Sequence, residues 1–161
     1  MNAFGIDISK GKSMVAVARP LGEIVSKPFE VRHTLDDIAS LTKYLHTLDG
    51  GTRIVMEHTG RYYEPMARQL AGAEFFVSAV NPKLIKDYGN NSLRKVKADK
   101  ADALKIARYA LDNWQDLCQY TVMDTLRTQL KTLNQQFAFY TKQKTASKTI
   151  LLLYLICRTP V

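Results

Sequence analysis

Phe4-Gly5-Ile6-Asp7-Ile8-Ser9 is an apolar run with one carboxylate set in its middle. β-Propensity reads the run as a buried strand, where a carboxylate without a counter-charge is strongly disfavoured. Something cationic is therefore expected to meet Asp7. Working outward, Arg53-Ile54-Val55-Met56 is a second apolar run that ends on Glu57, with His58-Thr59-Gly60 behind it. That order puts Glu57 at the mouth of a strand just before a turn, the end at which open α/β sheets bind ligands. Further along, Val96-Lys97-Ala98-Asp99-Lys100-Ala101-Asp102-Ala103-Leu104 spaces Asp99 and Asp102 three apart, so on a helix both lie on one face. Like charges so close repel unless a cation lies between them.

Carboxylate oxygens suit hard ions such as Mg²⁺ or Mn²⁺, and two ions about 3.5–4 Å apart stabilise both the entering and the departing oxygen of a phosphoryl transfer. Each acid also has a plain reading. An Asp on a strand or a Glu before a turn is commonly polar punctuation, and Asp99 suits a helix N-terminus through the macrodipole. No structural rule, however, asks for a buried Asp in the first strand. In strand, strand and helix order, Asp7, Glu57, Asp99 and Asp102 point to a site for two divalent ions and to phosphodiester chemistry.

Four stretches carry a resemblance to a known family: Gly5-Ile6-Asp7-Ile8-Ser9-Lys10, Glu57-His58-Thr59-Gly60-Arg61-Tyr62, Val80-Asn81-Pro82 and Lys97-Ala98-Asp99-Lys100-Ala101-Asp102-Ala103. In order and spacing they resemble the DEDD-type transposases and site-specific invertases of bacterial insertion sequences, typified by the pilin-gene invertase. The resemblance covers nearly the first two thirds of the chain. It implies an RNase H-like, RuvC-like catalytic domain that cleaves and rejoins element DNA with Mg²⁺ or Mn²⁺ held by the four acids. It also implies an oligomer and a structured, element-encoded guide RNA that helps choose the target. One departure is Ala98, where the family commonly has a threonine. Family members are about double this length and carry a further domain with a serine taken as nucleophile. The chain thus corresponds to their first half and is expected to be incomplete for strand transfer. Ser9, Ser13, Ser92 and Ser147 match no family serine motif and receive no role.

Composition agrees with a polyanionic partner: 23 Lys+Arg against 15 Asp+Glu give a formal net charge of +8 and a pI near 9.5. Lys83, Lys86, Arg94, Lys95, Lys97, Lys100 and Lys105, interleaved with Tyr88, Asn90, Asn91 and Tyr109, make a basic connection into the Asp99 helix. Phosphate contacts of this kind position nucleic acid without reading its bases. Lys10 and Lys12 follow Asp7 and are further candidates for phosphate. Charge runs are also commonly solvated faces.

The expected fold class is α/β: an RNase H-like mixed sheet flanked by helices, followed by a long coiled-coil-type helix. Strand-like runs at 3–9, 13–19 and 23–31, with Pro20-Leu21-Gly22 between the last two, read as a meander. Thr34-Leu35-Asp36-Asp37 reads as a capped helix start, and Ile38, Leu41, Leu45 and Leu48 keep helical spacing up to Gly50-Gly51. After the Glu57 strand, 62–70 reads as a helix with Pro65 near its first turn, and 74–80 as a short buried strand. Residues 1–112 are expected to form the catalytic domain and 113–161 a helical segment.

In that segment Leu126, Leu130, Leu133, Phe137 and Tyr140 recur at alternating four and three, the seam of a coiled coil. A helix at 123–150 must therefore either fold back on the domain or pair with another copy, and pairing is expected because the resemblance implies an oligomer. Ile150 to Cys157 is an apolar block far short of the roughly 20 residues of a membrane span. It reads equally as the helix's last turns, as a contact for a further domain or as a segment altered by a broken frame. No secretory signal is evident, which predicts a cytoplasmic protein. Cys118 and Cys157 lack metal-ligand spacing, and His33, His46 and His58 form no constellation. His58 beside Glu57 is within reach of a phosphate or a metal-bound water, but neighbours on a strand face opposite ways, so it reads as a packed or hydrogen-bonded histidine.

Two other classes remain open at this point. One is a non-catalytic module that binds nucleic acid and assembles with itself. The other is an actin-like or sugar-kinase-type ATPase, whose first strand also opens Gly-Ile-Asp but which needs a second similar domain and a glycine-rich adenosine loop.

Overall fold

The computed structural model describes residues 1–58, 60–88, 99–122 and 125–158. The run quoted first forms β1 (Asn2–Ile8). On one side it pairs antiparallel with β2 (Lys12–Ala18), which pairs antiparallel with β3 (Ile24–Arg32). On the other side β4 (Thr52–Glu57) lies parallel to β1, and β5 (Phe76–Val80) parallel to β4. The sheet order is therefore β3-β2-β1-β4-β5, with the Asp7 strand at its centre. Two helices make the crossovers that parallel strands require: α1 (Leu35–His46) and α2 (Glu64–Gly72). α3 (Pro82–Tyr88) and α4 (Asp99–Asp112) follow the last strand. By their contacts the residues divide into two units, Met1–Tyr120 and Thr121–Val161.

Alternation along β1 divides the first unit into two layers. Phe4, Ile6 and Ile8 face one way and pack with Ile54, Met56 and Val77 under Ile38, Leu41 and Leu45 of α1 and Met66, Ala67 and Leu70 of α2. Ala3, with Val55 and Val80, faces the other way, against Ile85 of α3, Ile106 and Ala110 of α4, and Leu117. On that second face Arg53 lies 4.3 Å from the Phe76 ring and 4.7 Å from the Trp114 ring, and donates to the Trp114 carbonyl. Tyr120 N donates to Val77 O at 2.6 Å, so the chain after α4 returns to β5.

The Thr34 hydroxyl accepts from Asp37 N at 3.2 Å, the cap expected of α1. Other boundaries differ from the sequence reading. The three meander strands are displaced by about one residue. α2 starts at Glu64 rather than 62, after a turn through Arg61. β5 starts at Phe76 rather than 74, because Glu74 takes a left-handed φ of 64° that closes the preceding helix. α3 was not anticipated, although Asn81 Oδ1 accepts from Lys83 N at 2.9 Å and Pro82 opens the helix, a start signal present in the sequence.

In the second unit α5 (Thr125–Arg158) runs beyond the expected end at 150, so the apolar block is the helix's last turns. Leu126, Leu130, Leu133, Phe137 and Tyr140 are exposed along it, and so is every residue from Ile150 to Ile156. No helix among the described residues is long and apolar enough to cross a membrane.

Candidate active site

β1 and β4 run parallel, with Ile6 opposite Met56 as their last registered pair, so the next residues, Asp7 and Glu57, stand at the same end of neighbouring strands. Strand alternation puts Asp7 on the face of Ala3 and Gly5, and Glu57 on the face of Val55. That is the face covered by α4. The approach is close because Gly5 has no side chain: a Cβ there would run into the backbone of Ala103 and Ala107, with the Ala107 Cα at 3.0 Å. Ala103, Ala107 and Ala110 are fully buried at helical spacing, so α4 meets the sheet along a stripe of small residues. Asp102, one residue before that stripe, is thereby carried to the carboxyl ends of β1 and β4.

The electrostatics agree with this placement. Burial pushes the Glu57 carboxyl above the usual carboxylate range, the charges of Asp7 and Asp102 push it further, and Lys105 acts in the opposite direction. The Glu57 carboxyl therefore senses Asp7 and Asp102 at one end of the sheet, and all three side chains are half-buried. Asp99 opens α4 three residues before Asp102, while its side chain is outside the described set. Among the described residues no group of three or more His, Cys, Asp or Glu side chains is near enough to hold a metal ion as it stands. The donor set nonetheless fits one. Its atoms are hard oxygens, and their mutual repulsion is what a divalent cation relieves.

The basic candidates separate. Lys105 is half-buried one helical turn past Asp102, and its Nζ donates to the Lys86 carbonyl at 3.3 Å. Lys10 and Lys12 flank the β1–β2 turn, at the same end of the strands as Asp7, but the Lys12 Nζ lies 2.9 Å from Glu30 Oε2. Lys83 and Lys86 are exposed on α3. Arg94, Lys95 and Lys97 lie outside the described residues, and so does the side chain of Lys100. His58 is exposed rather than packed in the interior: its ring lies 4.7 Å from that of buried Tyr63, and its backbone N–H donates to Val80 O at 2.8 Å. Tyr63 was not singled out from the sequence. Its spacing from Glu57 is uninformative, and only the fold brings its ring under His58.

Comparison with known proteins extends this picture. A family model of the IS110-type DEDD transposases, described as transposase, matches residues 4–155. No protein of curated function matches the chain. Among solved structures, one of Thermus thermophilus RuvC aligns with a TM-score of 0.53 at 14% identity, over 71% of this chain and 95% of that one. T. thermophilus RuvC in complex with Holliday junction substrate aligns with a TM-score of 0.51 at 14% identity, over 72% of this chain and 96% of that one. At such identity the likeness is one of fold, and the fold is RNase H-like.

Proposed function

Because the chain belongs to the IS110-type DEDD transposase family, we propose that its first unit is a metal-dependent nuclease of insertion-sequence DNA, with Asp7, Glu57, Asp99 and Asp102 as its metal ligands. What supports the reading is the backbone geometry: Asp7 and Glu57 follow the last registered pair of β1 and β4, and Gly5 lets α4, which contains Asp102, lie against the same face. The upward push on the Glu57 carboxyl from burial, Asp7 and Asp102 agrees with it. Bound there, two Mg²⁺ or Mn²⁺ ions would neutralise the scissile phosphate and stabilise the entering and departing oxygens. The chain's own residues supply the remainder. Glu57 and Asp7 project from neighbouring strands of one rigid sheet, so their separation is set by strand pairing rather than by a loop. α4 brings Asp102 because Gly5 lets its backbone reach the sheet. Lys105 offsets part of the acid charge, and Lys10, Lys83 and Lys86 offer phosphate contacts at its margins.

Two copies pair through α5 so that two active sites act together on two duplexes, and a structured element-encoded RNA guides the choice of target. No serine of this chain is assigned as nucleophile. Complete strand transfer draws on the serine domain that the family resemblance implies.

The test is calorimetric titration of Mn²⁺ into the chain and into Asp7→Asn, alongside cleavage of branched and element-end DNA. Wild type is expected to bind the ion and Asp7→Asn to lose most of that binding. Equal binding by both removes the metal role and the enzyme reading with it.

A further inference from the structure

The basic character of the chain resides mostly in one helix. α5 contains Arg127, Lys131, Lys142, Lys144, Lys148 and Arg158 and no Asp or Glu. With 23 Lys+Arg and 15 Asp+Glu in the whole chain, seventeen bases against fifteen acids remain for everything outside α5, so six of the eight net charges belong to this helix. Arg127, Lys131, Lys142, Lys144 and Lys148 are all exposed. Neither ion pair found among the described residues, Lys12–Glu30 or Arg19–Glu23, involves them.

An exposed helix ordinarily offsets its bases with acids three or four residues away; α5 itself has none, and the one acid at that spacing in the sequence is Asp124, before its first residue and three from Arg127. Arg127 in the first turn also opposes the helix dipole, whose N-terminal end favours anions. Pairing with a second copy does not relieve this charge. Continued from Tyr140, the alternation of four and three lands on Lys144, so the seam itself acquires a base. What remains is a surface with a standing electrostatic cost that a polyanion removes.

Its geometry is that of a rod. At 3.6 residues per turn Arg127, Lys131 and Lys142 fall within an arc of about 60°, roughly 130° round the helix from the leucine seam, and they extend over about 22 Å. Lys144 and Lys148 fall on the seam side. Pairing and the first cationic row are thus compatible. A helix lying in an anionic membrane surface needs an apolar face opposite its bases along its whole length. In α5 the apolar seam opposite the first cationic row ends at Tyr140, Lys144 and Lys148 fall on the side of its continuation, and the apolar residues of Ile150 to Ile156 surround the helix, so no apolar face runs its whole length.

We propose that α5 is a DNA-docking arm in which Arg127, Lys131 and Lys142 bind phosphates of a duplex while the leucine seam remains free to pair. The choice of DNA rests on the transposase reading above, but the arm is independent of the acid site. The experiment is fluorescence anisotropy of the full chain on a labelled duplex several helical turns long, between about 50 and 200 mM salt. It compares wild type with the triple variant Arg127→Gln, Lys131→Gln, Lys142→Gln. Glutamine has similar helix propensity, and circular dichroism checks that the helix persists. The variant is expected to bind about tenfold or more weakly at the higher salt, with the log–log salt slope reduced by about 2 to 3. Should the triple variant lose helicity, the three single variants carry the test, each lowering the slope by about 0.9.

An unchanged affinity and slope overturns the arm. So does a loss confined to hairpin RNA, or to phosphatidylserine vesicles, with duplex binding intact. Wild type that shows no salt-dependent duplex binding fails one step earlier, at the DNA reading itself.

Discussion

Glu57 joins stability and function with opposite signs. Its carboxyl pKa is raised above 4.5 by burial, by Asp7 and by Asp102, so its contribution to stability is full below 4.5 and is lost as pH rises through the folded value. At neutral pH the charged form is a burden on the metal-free fold. Glu57→Gln is accordingly expected to raise the melting temperature in chelator by a few degrees and to abolish Mn²⁺ binding; a lower melting temperature would contradict the placement of the three acids. His33 gives the converse case. Burial lowers its pKa from 6.5, and its Nε2 lies 2.7 Å from Ser13 Oγ. A cation with a depressed folded pKa contributes stability above 6.5 that is lost as pH falls through the folded value. Between about pH 7.5 and 5.5 wild type should lose more melting temperature than His33→Gln, and parallel losses would exclude the histidine as a source. The acids were legible as residues because a carboxylate in a strand like β1 needs an explanation. Lys105 was legible only as one more base. Its half-buried position beside the acids depends on how α4 meets the sheet, which no local pattern encodes.

At the scale of elements, the position of α4 depends on one missing methyl group. Gly5→Ala would drive a Cβ into the Ala103 and Ala107 backbone, and since backbone cannot swing aside as a side chain can, α4 must move. Overpacking of this kind typically costs about 1–3 kcal/mol. Urea unfolding is expected to show that loss, together with weaker Mn²⁺ binding as Asp102 withdraws from β1. A variant with wild-type stability and affinity would show that the stripe of small residues does not position the site. Elements defined by short-range chemistry were readable beforehand: the Thr34 cap, the apolar spacing of Ile38, Leu41 and Leu45, and the alternation along β1. Boundaries set by a single backbone angle were not, as at Glu74. α3 escaped because its basic residues drew the reading toward charge, although Asn81 and Pro82 mark a helix start. The extension of α5 escaped for a similar reason, since Ile150 to Cys157 differs in composition from the seam before it while continuing the same helix.

For the whole molecule, the seam of α5 predicts assembly. Leu126, Leu130, Leu133, Phe137 and Tyr140 are each more than half exposed, an apolar row that a lone chain leaves in water. Size-exclusion chromatography with light scattering is expected to find wild type as a dimer or larger and Leu130→Asp, Leu133→Asp as a monomer; a monomeric wild type ends the pairing proposal. The first unit has an optical property of its own. The chain has a single tryptophan, Trp114, and its indole stands 4.7 Å from the Arg53 guanidinium in a stack that ties the end of α4 to the sheet. Its emission therefore reports from one known place, and a colour shift accompanying ion or duplex binding follows that face as it tightens or loosens, in real time and without any attached dye.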